Sequence, residues 1–196
     1  MKIYLAIKNS MLGQPFDAFP WMLDAYKKFK MNNHGGYDFS AKTGDPVYYD
    51  CDVDGYVLNT EIDSSGGLGV NIITESGEGV FKHRYWHLKS FFVQAGDKIS
   101  MGECIGWADN TGFSTGTHLH RDIKEMVKNE NGSLSVKYPN NGTFGTIRYM
   151  NDPSPKLGQI AYDWFEYKFV LDMVDRDKKQ SYLRKVLLML INRLKK

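Results

Sequence analysis

The chain is poor in the residues that usually advertise chemistry. Its 196 residues include five histidines and two cysteines. Cys51 and Cys104 lack metal-ligand spacing, so a cysteine metal site is excluded. Two buried thiols is the simplest reading, and a bridge between them stays compatible with both being strand positions. Lys and Arg number 25 against 23 Asp and Glu, a formal charge of +2. That balance leaves no basic–aromatic patch, which excludes a nucleic-acid binder. It is compatible with an anionic polymer as partner without arguing for one. No apolar run approaches the roughly 20 residues that span a bilayer. The start, residues 1–8, is broken by Lys8 and followed by no small-residue cleavage site, so no signal peptide and no export route are visible.

Residues 39–138 read as many short strands. Turn signals recur at Gly44-Asp45-Pro46, Asp54-Gly55, Ser64-Ser65-Gly66-Gly67, Gly77-Glu78-Gly79, Gly96-Asp97 and Asn129-Glu130-Asn131-Gly132. Between them lie alternating or β-branched stretches at 47–50, 56–58, 69–74, 80–88 and 133–138. Strands at this spacing predict a mainly β, antiparallel core. Residues 1–7 fit an edge strand, and 12–16 a turn.

Two stretches depart from that pattern. Trp21, Met22, Ala25, Tyr26 and Phe29 have helical spacing, and lysines crowd the end of the segment, which predicts a short helix over 21–30. It serves either as packing or as one wall of a groove. Glycine is absent after Gly158 and proline after Pro155. Ile160, Trp164, Leu171 and Val174, then Tyr182, Leu183, Val186, Leu187, Leu190, Ile191 and Leu194, make apolar stripes. We expect a domain over 1–157 and a helical extension over 158–196, as two helices or one kinked helix. The last twenty residues hold seven Lys or Arg and one Asp. Packing on the core or on a second copy is the simpler role, and attachment to a membrane surface or wall is the other.

The histidines carry the functional signal. His118 and His120 stand two apart in Gly112-Phe113-Ser114-Thr115-Gly116-Thr117-His118-Leu119-His120. On a strand both imidazoles face the same way. His34 precedes Asp38 by four residues, but Gly35-Gly36 argues against a helix there. A turn running into a strand can still bring both groups to one ion. His87 closes the aromatic segment Tyr85-Trp86-His87. His34, Asp38 and His120 would form a nitrogen–oxygen ligand set suited to Zn2+, with a fourth position open. His87 and His118 would then be unligated imidazoles beside it, able to take or give a proton. His83 reads as a surface or satisfied core residue. Asp122 shares the face of His120, where it can hydrogen-bond a ligand imidazole; Arg121 points the other way.

His34-x-x-x-Asp38, then Tyr85-x-His87-Leu88, then Asn110-Thr111-Gly112-x-Ser114-Thr115-Gly116-x-His118-Leu119-His120 resembles the lysostaphin/LytM-type zinc metallopeptidases, which cut bacterial cell-wall peptides. The resemblance runs from about Gln14 to Pro153. Asp17 stands where the family commonly has glycine after Gln-Pro-Phe, and Arg121-Asp122 replaces the usual apolar-acidic pair. It implies the duplicated-hybrid-motif fold, an antiparallel β-sheet or sandwich. It also implies zinc on His34, Asp38 and His120, His87 and His118 as the catalytic pair, and peptidoglycan stem or cross-bridge peptides as substrate.

The stretch Asn141-Gly142-Thr143-Phe144-Gly145 followed by Asp152-Pro153 resembles versions carried by phages and prophages. That would put an endolysin-like hydrolase at the wall through a virion tail or a holin. The alternative is a non-catalytic wall-binding or virion structural component of the same fold.

Overall fold

The computed structural model describes residues 1–14, 24, 28, 34–137 and 165–171. Among them are twelve strands: β1 (Ile3–Leu5), β2 (Leu12–Gln14), β3 (Tyr37–Ser40), β4 (Pro46–Tyr48), β5 (Gly55–Asp63), β6 (Gly67–Ser76), β7 (Gly79–Phe91), β8 (Lys98–Ile99), β9 (Cys104–Ala108), β10 (His118–Lys128), β11 (Leu134–Val136) and β12 (Phe165–Phe169). Ten form one sheet along the path β2-β3-β10-β7-β6-β5-β8, with β11 on β10 and β9 joining β4 to β7. Every pairing in it is antiparallel. The mainly β antiparallel expectation is therefore met. No helix among the described residues is long and apolar enough to cross a membrane.

Two local expectations are corrected. Residues 12–14 are a strand on β3, not a turn. Residues 165–169 are also a strand, running parallel to β1, where helical spacing predicted a helix. The reason lies in the sequence: Phe165, Tyr167 and Phe169 alternate with Glu166 and Lys168. That is a period of two, and a strand edge at β1 rewards it. Val170, fully buried, packs with Tyr4 against Leu171, Tyr48 and Met101. Apart from the helical Asp24 and the turn at Lys28, the expected 21–30 helix lies outside the described residues, as does the tail beyond Leu171. Cys51 and Cys104 are both free thiols.

Alternation along β10 divides the sheet's two faces. Leu119 and Ile123 enter the apolar core with Tyr37, Phe39, Ile72 and Tyr85. Arg121 enters it with them and is fully buried. The core accommodates this charge because every edge of the guanidinium is engaged. Nε and Nη2 donate to the two oxygens of Asp50 at 3.1 and 2.9 Å, and Nη1 donates to the Asp122 carbonyl at 2.7 Å. The Tyr85 ring lies 4.3 Å from Cζ, and its hydroxyl donates to Asp50 at 2.6 Å. Nη2 also reaches His83 Nδ1 at 2.8 Å. His83 is thus a satisfied core residue, accepting at Nδ1 and donating from Nε2 to Thr74 Oγ1 at 3.0 Å.

Removing one side of this pair leaves the other charge buried and alone. Arg121→Met and Asp50→Asn should each cost about 3–5 kcal/mol in urea unfolding, with the double variant costing less than the sum. Burial and then the Arg121 charge hold the His83 pKa well below its ordinary value. A depressed folded pKa gives stability that is full above the unfolded value of about 6.5 and lost as pH falls below it. His83→Gln should therefore show a shallower loss of stability below about pH 6.5 than the wild type, read from urea midpoints across pH.

Candidate metal centre

The register of β10 builds the site. His120 pairs with Asp38 of β3 on one side and with Trp86 of β7 on the other. Directly opposed residues on antiparallel strands share a face, so Asp38 and His120 meet. His34 arrives from the turn before β3. There Gly36 lies so close that a Cβ on it would stand 2.5 Å from His120 Nε2 and 2.9 Å from the Arg121 carbonyl.

Three donor atoms converge. His34 Nε2 is 3.1 Å from Asp38 Oδ1 and 3.0 Å from His120 Nδ1, and the last two are 2.9 Å apart. Ligands of a tetrahedral ion at about 2.1 Å stand about 3.4 Å from one another. This triangle, at 2.9–3.1 Å, is slightly tighter. The residues therefore fit a divalent cation with a small outward adjustment. On the far side of the ring, His120 Nε2 faces Asp122 Oδ2 at 3.4 Å, the support expected of Asp122 from its place on the strand. Asp122 is buried, with Arg84 Nε 3.2 Å and Lys124 Nζ 3.5 Å away.

The other two histidines flank this triangle. The His87 and His118 ring centroids are 4.5 Å apart, and His87 lies 6.0 Å from His120. His87 Nδ1 donates to the Thr111 carbonyl at 2.6 Å, and His118 Nδ1 to the Gly116 carbonyl at 2.8 Å. Because carbonyls only accept, each ring keeps a proton on Nδ1, so that a neutral ring offers the Nε2 lone pair and a protonated His118 donates from Nε2 to Asp38. His118 Nε2 lies 3.4 Å from Asp38 Oδ2. Ser114 Oγ lies 3.1 Å from His118 Nδ1; the sequence placed it in the Ser-Thr-Gly motif but assigned it no partner.

The backbone pays for the placement of His87. Its φ of 64° is left-handed, a conformation that costs a non-glycine residue about 1–3 kcal/mol. Two interlocked loops hold it. His87 N donates to the Gly66 carbonyl at 3.0 Å, and its own carbonyl accepts from Asp109 N at 2.9 Å. Thr111 Oγ1 donates to the Leu88 carbonyl at 2.8 Å. Gly67 and Gly112, both at positive φ, approach too closely for a Cβ on either.

Electrostatics separate the imidazoles. Burial and the neighbouring His120 and His118 push His87 down to about 4. For His120 burial opposes charge, but Asp122 and Asp38 outweigh it and raise the pKa to about 9. His118 is raised in the same way, burial being overcome by Asp38. Burial would lift Asp38, yet His34 and the hydrogen bonds from His118 and His120 hold it well below the carboxylate range.

The model of Peptidase family M23 matches residues 32–133, a stretch that holds all five of these side chains. The chain belongs to this family. Among M23 relatives, the glycyl-glycine endopeptidase ALE-1 of Staphylococcus capitis is 33% identical over 131 residues, covering 60% of this chain and 35% of that protein. The peptidoglycan DD-endopeptidase ShyA of Vibrio cholerae is 37% identical over 90 residues, covering 46% and 20%. The chain thus spans about a third or less of the length of these relatives. The lysostaphin catalytic domain from Staphylococcus simulans superposes with a TM-score of 0.51 at 26% identity, over 67% of this chain and 91% of that one. A zinc-containing peptidase from Vibrio cholerae gives 0.50 at 28%, over 62% and 36%. The fold is that of M23 and lysostaphin.

Gly36 offers a test that spares the donors. Gly36→Ala should weaken divalent-cation binding by about tenfold or more by displacing the His120 ring. Gly77→Ala, which meets nothing within 4 Å, should leave it unchanged. Asp38→Ala and His120→Ala should abolish it in the same chelator-competition titration.

Proposed function

We propose that this protein is a zinc-dependent endopeptidase that hydrolyses peptide bonds of bacterial peptidoglycan, in stem peptides or cross-bridges. The observation that carries the proposal is the convergence of His34 Nε2, Asp38 Oδ1 and His120 Nδ1, with the His87 and His118 rings beside them. Two imidazoles and a carboxylate form the ligand set of catalytic zinc, which keeps one position open. The similarity to ALE-1, a glycyl-glycine endopeptidase, and to ShyA, a peptidoglycan DD-endopeptidase, supports the substrate class.

When bound, zinc supplies Lewis acidity toward a scissile carbonyl and toward water. His34, Asp38 and His120 hold it, and Asp122 orients the His120 ring by facing its Nε2. His87 and His118, each anchored at Nδ1 by a backbone carbonyl, present Nε2 to the substrate. An Nε2 lone pair accepts the proton of the attacking water and returns it to the leaving amine. Once protonated, the same nitrogen donates to the oxyanion of the tetrahedral intermediate. The anchoring carbonyls fix each ring's tautomer, so no rearrangement precedes proton transfer. A phage-type setting belongs to the same proposal and rests on the motif at residues 141–145.

The test combines metal analysis with digestion of purified cell walls. His118→Ala should retain bound zinc and lose about 10²–10⁴-fold in lytic rate. His120→Ala should lose both metal and activity. Mass spectrometry of the released muropeptides identifies the bond. Full lysis by either variant would overturn the mechanism, and a zinc-loaded wild type that releases no fragment would leave a wall-binding module.

A further inference from the structure

The face that carries His120 continues along β7. Trp86 stands opposite His120, Arg84 opposite Asp122, and Lys82 opposite Lys124. All three side chains therefore rise on the ion's side of the sheet. Arg84 is held without being used up. Its Cζ lies 4.9 Å from the Trp86 ring centroid and its Nε 3.2 Å from Asp122 Oδ2. The Nε–H is aimed off that oxygen, so the contact is an ion pair and not a hydrogen bond. Among the described residues neither Nη1 nor Nη2 has a hydrogen-bond partner, and the side chain is 23% exposed where that of Asp122 is 2%.

Two further observations point to an anionic, acceptor-bearing ligand. Trp86 Nε1 on the same face is buried without an acceptor among the described residues, a donor that an acceptor-bearing ligand would satisfy. The nearby carboxylates are also engaged elsewhere. Asp122 is shared by Arg84, Lys124 and His120. Asp63, whose carboxyl feels the Arg84 charge, accepts from Ser65 and Gly66, and Glu61 accepts from Asn59 Nδ2 at 2.9 Å; Lys82, half-buried, has no ion pair among the described residues. A guanidinium fixed along one edge with its fork open is the arrangement that takes a carboxylate by two parallel hydrogen bonds.

We infer that Arg84 is a specificity-determining residue that binds a substrate carboxylate. The preferred substrate is then a peptidoglycan stem peptide bearing a free carboxylate near the scissile bond, not an uncharged oligoglycine bridge. Arg84 lies two residues along β7 from Trp86, about 6.6–6.8 Å. The donor triangle lies a further strand spacing away, on the β3 side of β10, so an extended substrate spans the whole distance in about three residues, which places the carboxylate about three residues from the bond that is cut. This inference rests on the peptidase reading above.

The experiment uses zinc-loaded enzyme and three soluble peptides. Two are stem-type peptides identical except for a carboxylate or a carboxamide at that position, and the third is pentaglycine. The wild type should favour the carboxylate peptide over both others by about tenfold or more in kcat/KM, chiefly through KM. Arg84→Gln should bring the carboxylate-to-carboxamide ratio to about one with its zinc retained, and Arg84→Lys should keep part of the preference, because the charge remains and the fork does not. Equal cleavage of all three peptides by the wild type, a preference for pentaglycine, or an unchanged ratio in Arg84→Gln would overturn the inference while leaving the peptidase reading intact. No cleavage of any peptide or of purified walls by the wild type would overturn that reading, and the inference with it.

Discussion

The register between β3 and β10 is the constraint on which the site depends. His120 can share an ion with Asp38 only because the two are directly opposed, with His118 displaced by one pleat toward Ser40. A slip of one residue would turn the histidines inward and Leu119 outward. The core forbids that slip, since Leu119 and Ile123 occupy its closed interior. Apolar packing on one face thus fixes the placement of His118 and His120 on the other.

Arg121 adds a second lock to the same strand. A charge between two leucine- and isoleucine-sized neighbours looks like a defect, yet Asp50, His83 and the Asp122 carbonyl meet the guanidinium. Its Nη1 holds the Asp122 carbonyl while the Asp122 side chain faces His120 on the opposite surface. Apolar residues of similar volume could stabilise such a core equally well. What the ion pair contributes here is position, by tying β10 to the chain after β4 at the level of His120.

The sequence made the outer shape of the centre legible because its chemistry is carried by rare residues in ordered motifs. His34, Asp38, His87, His118 and His120 stand in one cluster, and Asp122 lies behind His120 as strand alternation required. Other features had no local signal. Nothing near Arg121 announces that its partner is Asp50, some seventy residues away. The left-handed backbone of His87 is imposed by loops from two distant segments, and histidine itself does not encode it. The strand at residues 165–169 was encoded, as aromatic–charged alternation, but a longer apolar stripe of helical spacing masked it. Local pattern there favoured one structure, and the available edge of β1 decided for another.

That edge also has a consequence for how the protein is made. Ile3, Leu5 and Ile7 are almost wholly buried, and β1 touches two parts of the chain that leave the ribosome at very different moments. Residues 48–51 follow soon and give it a first seat through Tyr4, Ala6 and Asp50. Its parallel partner begins about 160 residues later, which at 5–20 residues per second is a delay of roughly 8–30 s. Until that partner is made, the nascent chain carries an apolar strand with one open side, an attachment point for a chaperone or for a neighbouring polysome product.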